Sequence, residues 1–330
     1  MGREDVTEPG TDMETFDRRA IPQGASESYW EAQDGWKIRR FDWPAELPDD
    51  SIARGSMLFM AGRGDLYEKY LETFAHFHKA GWNITASDWR GQAGSGRMTD
   101  SQYIGHIEDF SVWIDDIRFF FEQWKASTPG PHAIMAHSMG GHLIARALIE
   151  KAVDPDAAIL IAPMLGMRGL NLPLPIGHFL TRIMKWIGNP KRPAWKVSEK
   201  PASPLEIRQS LLTNDDDRYA DELFWWGKRP ELVMGPASWN WVERAYASAR
   251  HIRTKRQWES VDTPVYIVAT SADELVRHRN IEEAVERMPK AEMLEFGEEA
   301  AHEILREVDA IRDRALAGID VFLDRATAPE

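Results

Sequence analysis

The 330-residue chain contains no cysteine, which excludes disulfide staples, thiolate metal sites, iron–sulfur clusters and a cysteine nucleophile. No apolar run approaches the roughly eighteen residues of a membrane-spanning helix, and the amino terminus, MGREDVTEPGTDMETFDRR, lacks the apolar core of a secretory signal. Positive charge is short as well. Forty Lys and Arg face 53 Asp and Glu for a net −13, a balance that repels a phosphate backbone and argues against nucleic acid as a partner. There is no Walker A pattern, no G-x-G-x-x-G opening a helix and no H-E-x-x-H, so no cofactor and no metal are expected. What is present is 43% apolar residues, enough for a sizeable core. A cytoplasmic globular protein is the expectation.

Residues 1–18 are polar, acidic and aperiodic, and read as a disordered tail. Short apolar runs then alternate with helical patterns. Ser56–Met60, Asn83–Ser87, His132–Ala136, Ala157–Ala162, Val265–Thr270 and Met293–Phe296 are near-continuously apolar, as suits strands covered on both faces of a parallel sheet. Ser28–Ala32 and Lys37–Phe41 flank Asp34-Gly35 and predict a hairpin ahead of them. Helical spacing covers Leu66–Ala80, Ile107–Ala126, Gly140–Lys151, Asn280–Met288 and Val308–Asp324. This alternation predicts an α/β fold, a mostly parallel doubly wound sheet. From Leu165 to Tyr246 no strand pattern occurs, yet six of the 14 tryptophans fall there. That segment reads as a helical cap, 165–246, inserted after the sixth strand into a core made of 19–164 and 247–330.

The segment Ala136-His137-Ser138-Met139-Gly140-Gly141 joins a strand pattern directly to a helix pattern, the setting of a nucleophile elbow. Such a turn strains the serine backbone and needs small residues two before and two after it, here Ala136 and Gly140. A chance small-x-Ser-x-Gly is common in any long chain; the flanking strand and helix weigh against it. A serine hydroxyl needs a base oriented by an acid, and on this architecture the chain order is Ser, then Asp or Glu, then His. Asp273 lies three residues past Val265–Thr270, with Glu274 as its local rival, and His302 follows Met293–Phe296 as the last histidine of the chain. Ser138, Asp273 and His302 are therefore the candidate triad. Oxyanion donors are expected from the backbone of Met139, at the start of the helix, and of Arg63, in the glycine-flanked loop Ala61–Asp65.

Together AHSMGG, AGRGD, DWRGQAGSGR (Asp88–Arg97), APMLGM, SADELV and AAHEILRE resemble the α/β-hydrolase superfamily. More narrowly they are similar to its monoacylglycerol lipase and lysophospholipase L2-like branch, grouped with serine-aminopeptidase-S33-like hydrolases. The resemblance spans roughly Ala20 to Leu323 and is loose in the cap. It implies the same triad and donors, makes His137 part of the elbow and gives Asp88–Arg97 a structural role. The chain departs from the branch in having Ala61 and Asp65 where His and Glu are usual, and Ala136 where Gly is usual.

The expected reaction is hydrolysis of a small apolar lipid-type ester, a monoacylglycerol or lysophospholipid, through an acyl-enzyme. The alternatives are a small-ester esterase, an S33-type aminopeptidase, or a non-catalytic receptor for an apolar ligand. Within the cap, Ile176, Phe179, Leu180, Ile183, Met184 and Ile187 recur at helical spacing, with His178, Thr181, Arg182 and Lys185 opposite. Six basic residues from Arg182 to Lys200 face only Glu199. We read this helix as packing its apolar side on the core with lysines in solvent; the competing reading is a lid that meets an anionic membrane surface.

Overall fold

The computed structural model describes residues 16–47, 52–168, 173–195, 205–254 and 257–328. Most of the acidic tail, together with Lys196, Glu199 and Lys200, lies outside them.

Eight strands form one sheet in the order β1-β2-β4-β3-β5-β6-β7-β8. They are β1 (Ser26–Glu31), β2 (Lys37–Trp43), β3 (Gly55–Met60), β4 (Trp82–Ser87), β5 (His132–His137), β6 (Ala157–Ile161), β7 (Val265–Thr270) and β8 (Ala291–Phe296). The predicted hairpin is β1–β2, turning at Gly35 with φ of 83°. β2 runs antiparallel to β4, and every pairing from β4 to β8 is parallel.

Side-chain alternation splits the core into two layers. Leu58, Met60, Ile134, Ala136 and Leu160 face α2 (Phe110–Ser127), α3 (Met139–Ile149) and α8 (His278–Arg287). Met57, Phe59, Ala133, Met135 and Ile159 face α1 (Leu71–Lys79) and α9 (Asp309–Ala326). Helix α1 is shorter than the pattern Leu66–Ala80, because its first turn is a 3₁₀ helix, Tyr67–Tyr70.

Between β6 and β7 come α4 (Leu174–Trp186), α5 (Leu205–Leu212), α6 (Asp216–Lys228) and α7 (Trp239–Ile252). Helix α7 runs through residue 246 without a break. These helices do not form one uniform layer. Trp225 and Trp226 of α6 pack with Phe41 and Tyr67 against the sheet, whereas Trp186 at the end of α4 is 87% exposed.

Helix α4 overturns the packing expected of it. Its buried residues are Gly177, His178 and Thr181, while Ile176, Phe179, Leu180, Ile183 and Ile187 are exposed. Helix α7 selects the polar side. His178 Nε2 lies 2.9 Å from a carboxylate oxygen of Glu243, and its Nδ1 lies 2.9 Å from the Arg250 guanidinium. Gly177 lets the backbones approach, since a Cβ there would stand 2.6 Å from the Tyr246 ring. Buried polar groups must be partnered, and α7 supplies the partners that the apolar face of α4 lacks.

Candidate active site

Ser138 stands alone between β5 and α3 with φ of 51° and ψ of −114°, a sparsely populated backbone that costs of order 1–3 kcal/mol. The surroundings hold it there. Its amide donates to the Ile161 carbonyl at 2.9 Å, and its own carbonyl accepts from Met164 at 2.9 Å and His142 at 3.0 Å. A Cβ at Gly140 would stand 2.5 Å from the carbonyl oxygens of Met60 and Ala61, and one at Gly141 would stand 2.9 Å from Pro163. The small residues after Ser138 are thus a steric requirement. Ala136 is fully buried in the layer under α2 and α3, so the sheet accommodates the extra methyl group.

The structure brings the three candidate residues together. His302 Nε2 lies 2.8 Å from Ser138 Oγ, and its Nδ1 lies 2.6 Å from Asp273 Oδ2. The other Asp273 oxygen accepts from the amides of Leu275 (2.7 Å) and Val276 (2.9 Å). A carboxylate only accepts, so these partners put the proton on Nδ1 and turn the Nε2 lone pair to the hydroxyl. Burial disfavours charge on both Asp273 and His302. Their mutual attraction outweighs it, holding the Asp273 carboxyl low and pushing the His302 imidazole above the ordinary histidine value. Glu274, the rival acid, is instead exposed and pairs with Arg168 at 2.6 Å.

The loop Ala61–Asp65 runs beside the serine: a Cβ at Gly62 would stand 3.3 Å from Ser138 Cβ. Gly64 donates to Gln92 Oε1 at 2.8 Å, and Gln92 Nε2 lies 3.6 Å from Met139 Sδ, so one side chain ties the two candidate donor segments together. Met139 opens α3, where first-turn amides have no partner within the helix. The Arg63 side chain donates to the Gly235 carbonyl and sits 5.3 Å from the Trp195 ring and 5.4 Å from the Trp241 ring. Asp88, in the segment expected to be structural, binds Arg39, Gly94 and Ser95.

Behind His302 lies a buried charge cluster that the sequence reading missed. Lys69 contacts Glu303 at 2.5 Å, Asp65 at 2.9 Å and Glu222 of α6 at 3.2 Å. Arg208 and Arg306 complete the charge balance against Glu222 and Glu303. Asp65 and Tyr70 also hold His137 Nδ1, at 3.1 and 3.0 Å. Burial alone would push Glu303 up; the charges of Lys69 and Arg306 outweigh it and hold the carboxyl at about 2. The local signals were the Asp65–Lys69 spacing of four and the Glu303–Arg306 spacing of three. Lys69→Met leaves three buried carboxylates short of a cation, so a loss of about 3–5 kcal/mol is expected in urea unfolding. A loss under about 1 kcal/mol would show that the cluster rearranges freely. Next to it, residues 211–214 clasp the histidine loop. Glu303 donates its amide to the Leu212 carbonyl at 2.7 Å, and Thr213 Oγ1 donates to the Arg306 carbonyl at 2.6 Å.

No group of three or more His, Asp or Glu among the described residues is placed to hold a metal ion, and none of their helices is long and apolar enough to cross a membrane.

An eight-stranded sheet of this order, with a strained serine at the β5–α3 turn, defines an α/β-hydrolase. The serine aminopeptidase, S33 family profile matches residues 51–309, and the chain belongs to that family of hydrolases. It is similar to lysophospholipase L2 of Escherichia coli (strain K12), with 28% identity over 280 residues, covering 81% of this chain and 80% of the relative. The probable lysophospholipase L2 of Haemophilus influenzae is 24% identical over 281 residues, covering 84% and 86%. Among solved structures, a soluble variant of monoglyceride lipase from Saccharomyces cerevisiae superposes with a TM-score of 0.74 at 16% identity, covering 96% of this chain and 99% of that one. At that identity the likeness is one of fold.

Proposed function

We propose that this hydrolase cleaves lipid-type carboxylic esters, a monoacylglycerol or a lysophospholipid, through an acyl-enzyme on Ser138. The observation that carries the reading is the unbroken hydrogen-bond chain Ser138–His302–Asp273 at the strained turn. Ser138 Oγ attacks the ester carbonyl as its proton passes to His302 Nε2, and Asp273 stabilises the imidazolium. The oxyanion is bound by the amides of Met139 and Arg63. Collapse of the tetrahedral adduct expels the alcohol, which takes the proton from His302. Water, deprotonated in turn by His302, then releases the fatty acid and restores the hydroxyl.

The names of the Escherichia coli and Haemophilus influenzae relatives support the lipid-ester substrate. Residues 165–246 act in this reading as a cap inserted between two stretches of core, with Arg63 tying the oxyanion loop to it. The partner is the small apolar ester itself.

A fluorophosphonate probe should label the wild type and leave Ser138→Ala unlabelled. Across p-nitrophenyl esters from acetyl to palmitoyl, kcat/KM should rise toward the longer chains. A maximum at acetyl would overturn the lipase reading, and turnover confined to aminoacyl anilides would favour an aminopeptidase. Unlabelled wild-type protein that binds fatty acid would favour a receptor.

A further inference from the structure

Glu307 follows His302 in the segment AAHEILRE and is fully buried, yet it takes no part in the hydrogen-bond chain from Ser138 to Asp273. Among the described residues its carboxylate makes no ion pair with a cation. The Arg218 guanidinium donates to the Glu307 main-chain carbonyl, at 2.8 Å, and not to the side chain. Only N–H donors hold the carboxylate. Oε1 accepts from the Ala301 amide at 2.7 Å and from Asn214 Nδ2 at 3.1 Å, and Oε2 accepts from the Asn214 amide at 3.0 Å. Burial raises the carboxyl above its ordinary value, and these donors pull against it. A buried carboxylate is costly, and an apolar side chain would serve stability alone as well.

What the carboxylate maintains is a particular geometry. Ala301 directly precedes His302, so Glu307 closes the backbone from 301 to 307 into a ring that contains the base. Asn214, between α5 and α6, fastens that ring from outside. The neighbouring carbonyls of Leu211 and Leu212 take the amides of His302 at 3.4 Å and Glu303 at 2.7 Å, and Thr270 Oγ1 donates to the Ala300 carbonyl at 3.1 Å. The backbone is thus fixed on both sides of His302. The two contacts of its imidazole, 2.8 Å to Ser138 and 2.6 Å to Asp273, depend on where that backbone stands. Three donors converge on two oxygens, and only a carboxylate accepts from all of them.

We propose that Glu307 is a positioning residue for the base: anchored on Asn214, its carboxylate sets the Ala301 amide and with it the reach of His302 toward Ser138 and Asp273. The inference rests on the reading of those three residues as a working triad and adds that the histidine is held from the segment between β6 and β7.

The test compares Glu307→Gln and Asn214→Asp with the wild type on p-nitrophenyl acetate, each rate expressed per site titrated with the fluorophosphonate probe. Glutamine keeps the shape but turns an NH₂ toward an N–H donor. Asn214 is exposed, so its substitution leaves the core packed, and an aspartate there sets a second carboxylate against Glu307 Oε1. Misplacing a reacting group by about 1 Å can cost about 10²-fold, so kcat is expected to fall by about tenfold or more in each variant, with KM within about twofold of the wild type. A base held less closely to Asp273 also loses part of the attraction that raises its imidazole, so the limb of the pH profile should move to lower pH. Loss of stability alone would leave kcat per titrated site, KM and the limb where they were. Wild-type kcat per site in either folded variant would overturn the proposal, as would a lowered kcat with the limb unmoved. If circular dichroism shows Glu307→Gln unfolded, Asn214→Asp decides by the same readings. A wild type that the probe leaves unlabelled would overturn the chemistry proposed for Ser138, which keeps the two failures apart.

Discussion

Ser138→Ala is expected to lower kcat on a long-chain ester by about 10⁶-fold, with the fold intact. The substitution removes one oxygen and retains the Cβ, so the backbone at φ of 51° carries no strain it does not already bear. The three hydrogen bonds holding that backbone come from its own amide and carbonyl and survive. What disappears is the nucleophile, and His302 is left without the hydroxyl it was placed to deprotonate. The residual rate should still exceed the uncatalysed one by roughly 10³-fold, because the donors proposed above, the amides of Met139 and Arg63, would still stabilise the oxyanion formed when water attacks the ester directly. Single-turnover kinetics and circular dichroism together check the claim. Retention of kcat within tenfold of the wild type, with an unchanged spectrum, would remove Ser138 from the chemistry.

The sequence made this site legible because its demands are local. A serine at a sharp strand-to-helix turn needs a small residue two places on, and Gly140 meets that need against the Met60 and Ala61 carbonyls. Asp273 and His302 each follow their own strand closely, so reading the strands was enough to align the two residues at one edge of the sheet. Helix α4 shows where such reading stops. Periodicity tells which residues share a face; it does not tell which way that face points. The answer lay in Glu243 and Arg250, both distant in sequence, which engage His178 and bury the polar side. The cluster around Lys69 was hidden for the same reason, since its partners Glu222 and Glu303 are 153 and 234 residues away. Gln92 and the clasp of residues 211–214 on the histidine loop likewise act only through contacts that the fold creates.

Asp273→Asn should cost about 10⁴-fold in kcat, nearly all of it through the histidine. The carboxylate obliges His302 to carry its proton on Nδ1, which leaves Nε2 as the acceptor facing Ser138 Oγ at 2.8 Å. An amide can satisfy the Leu275 and Val276 amides with its oxygen and turn its NH₂ toward Nδ1. The imidazole then prefers the proton on Nε2, where it cannot accept from the serine. The pH profile separates this effect from a packing defect. Burial disfavours the His302 cation, and the Asp273 charge and hydrogen bond outweigh it to raise the imidazole pKa. Only neutral imidazole is a base, so the wild-type kcat/KM should climb with pH along a limb lying above the ordinary histidine value. With the carboxylate gone, desolvation prevails and the limb should move to lower pH while its plateau drops. A packing defect would lower the plateau and leave the limb in place. A full plateau in Asp273→Asn, paired with a collapse in Glu274→Gln, would transfer the acid's role to the neighbouring carboxylate despite its exposed pairing with Arg168.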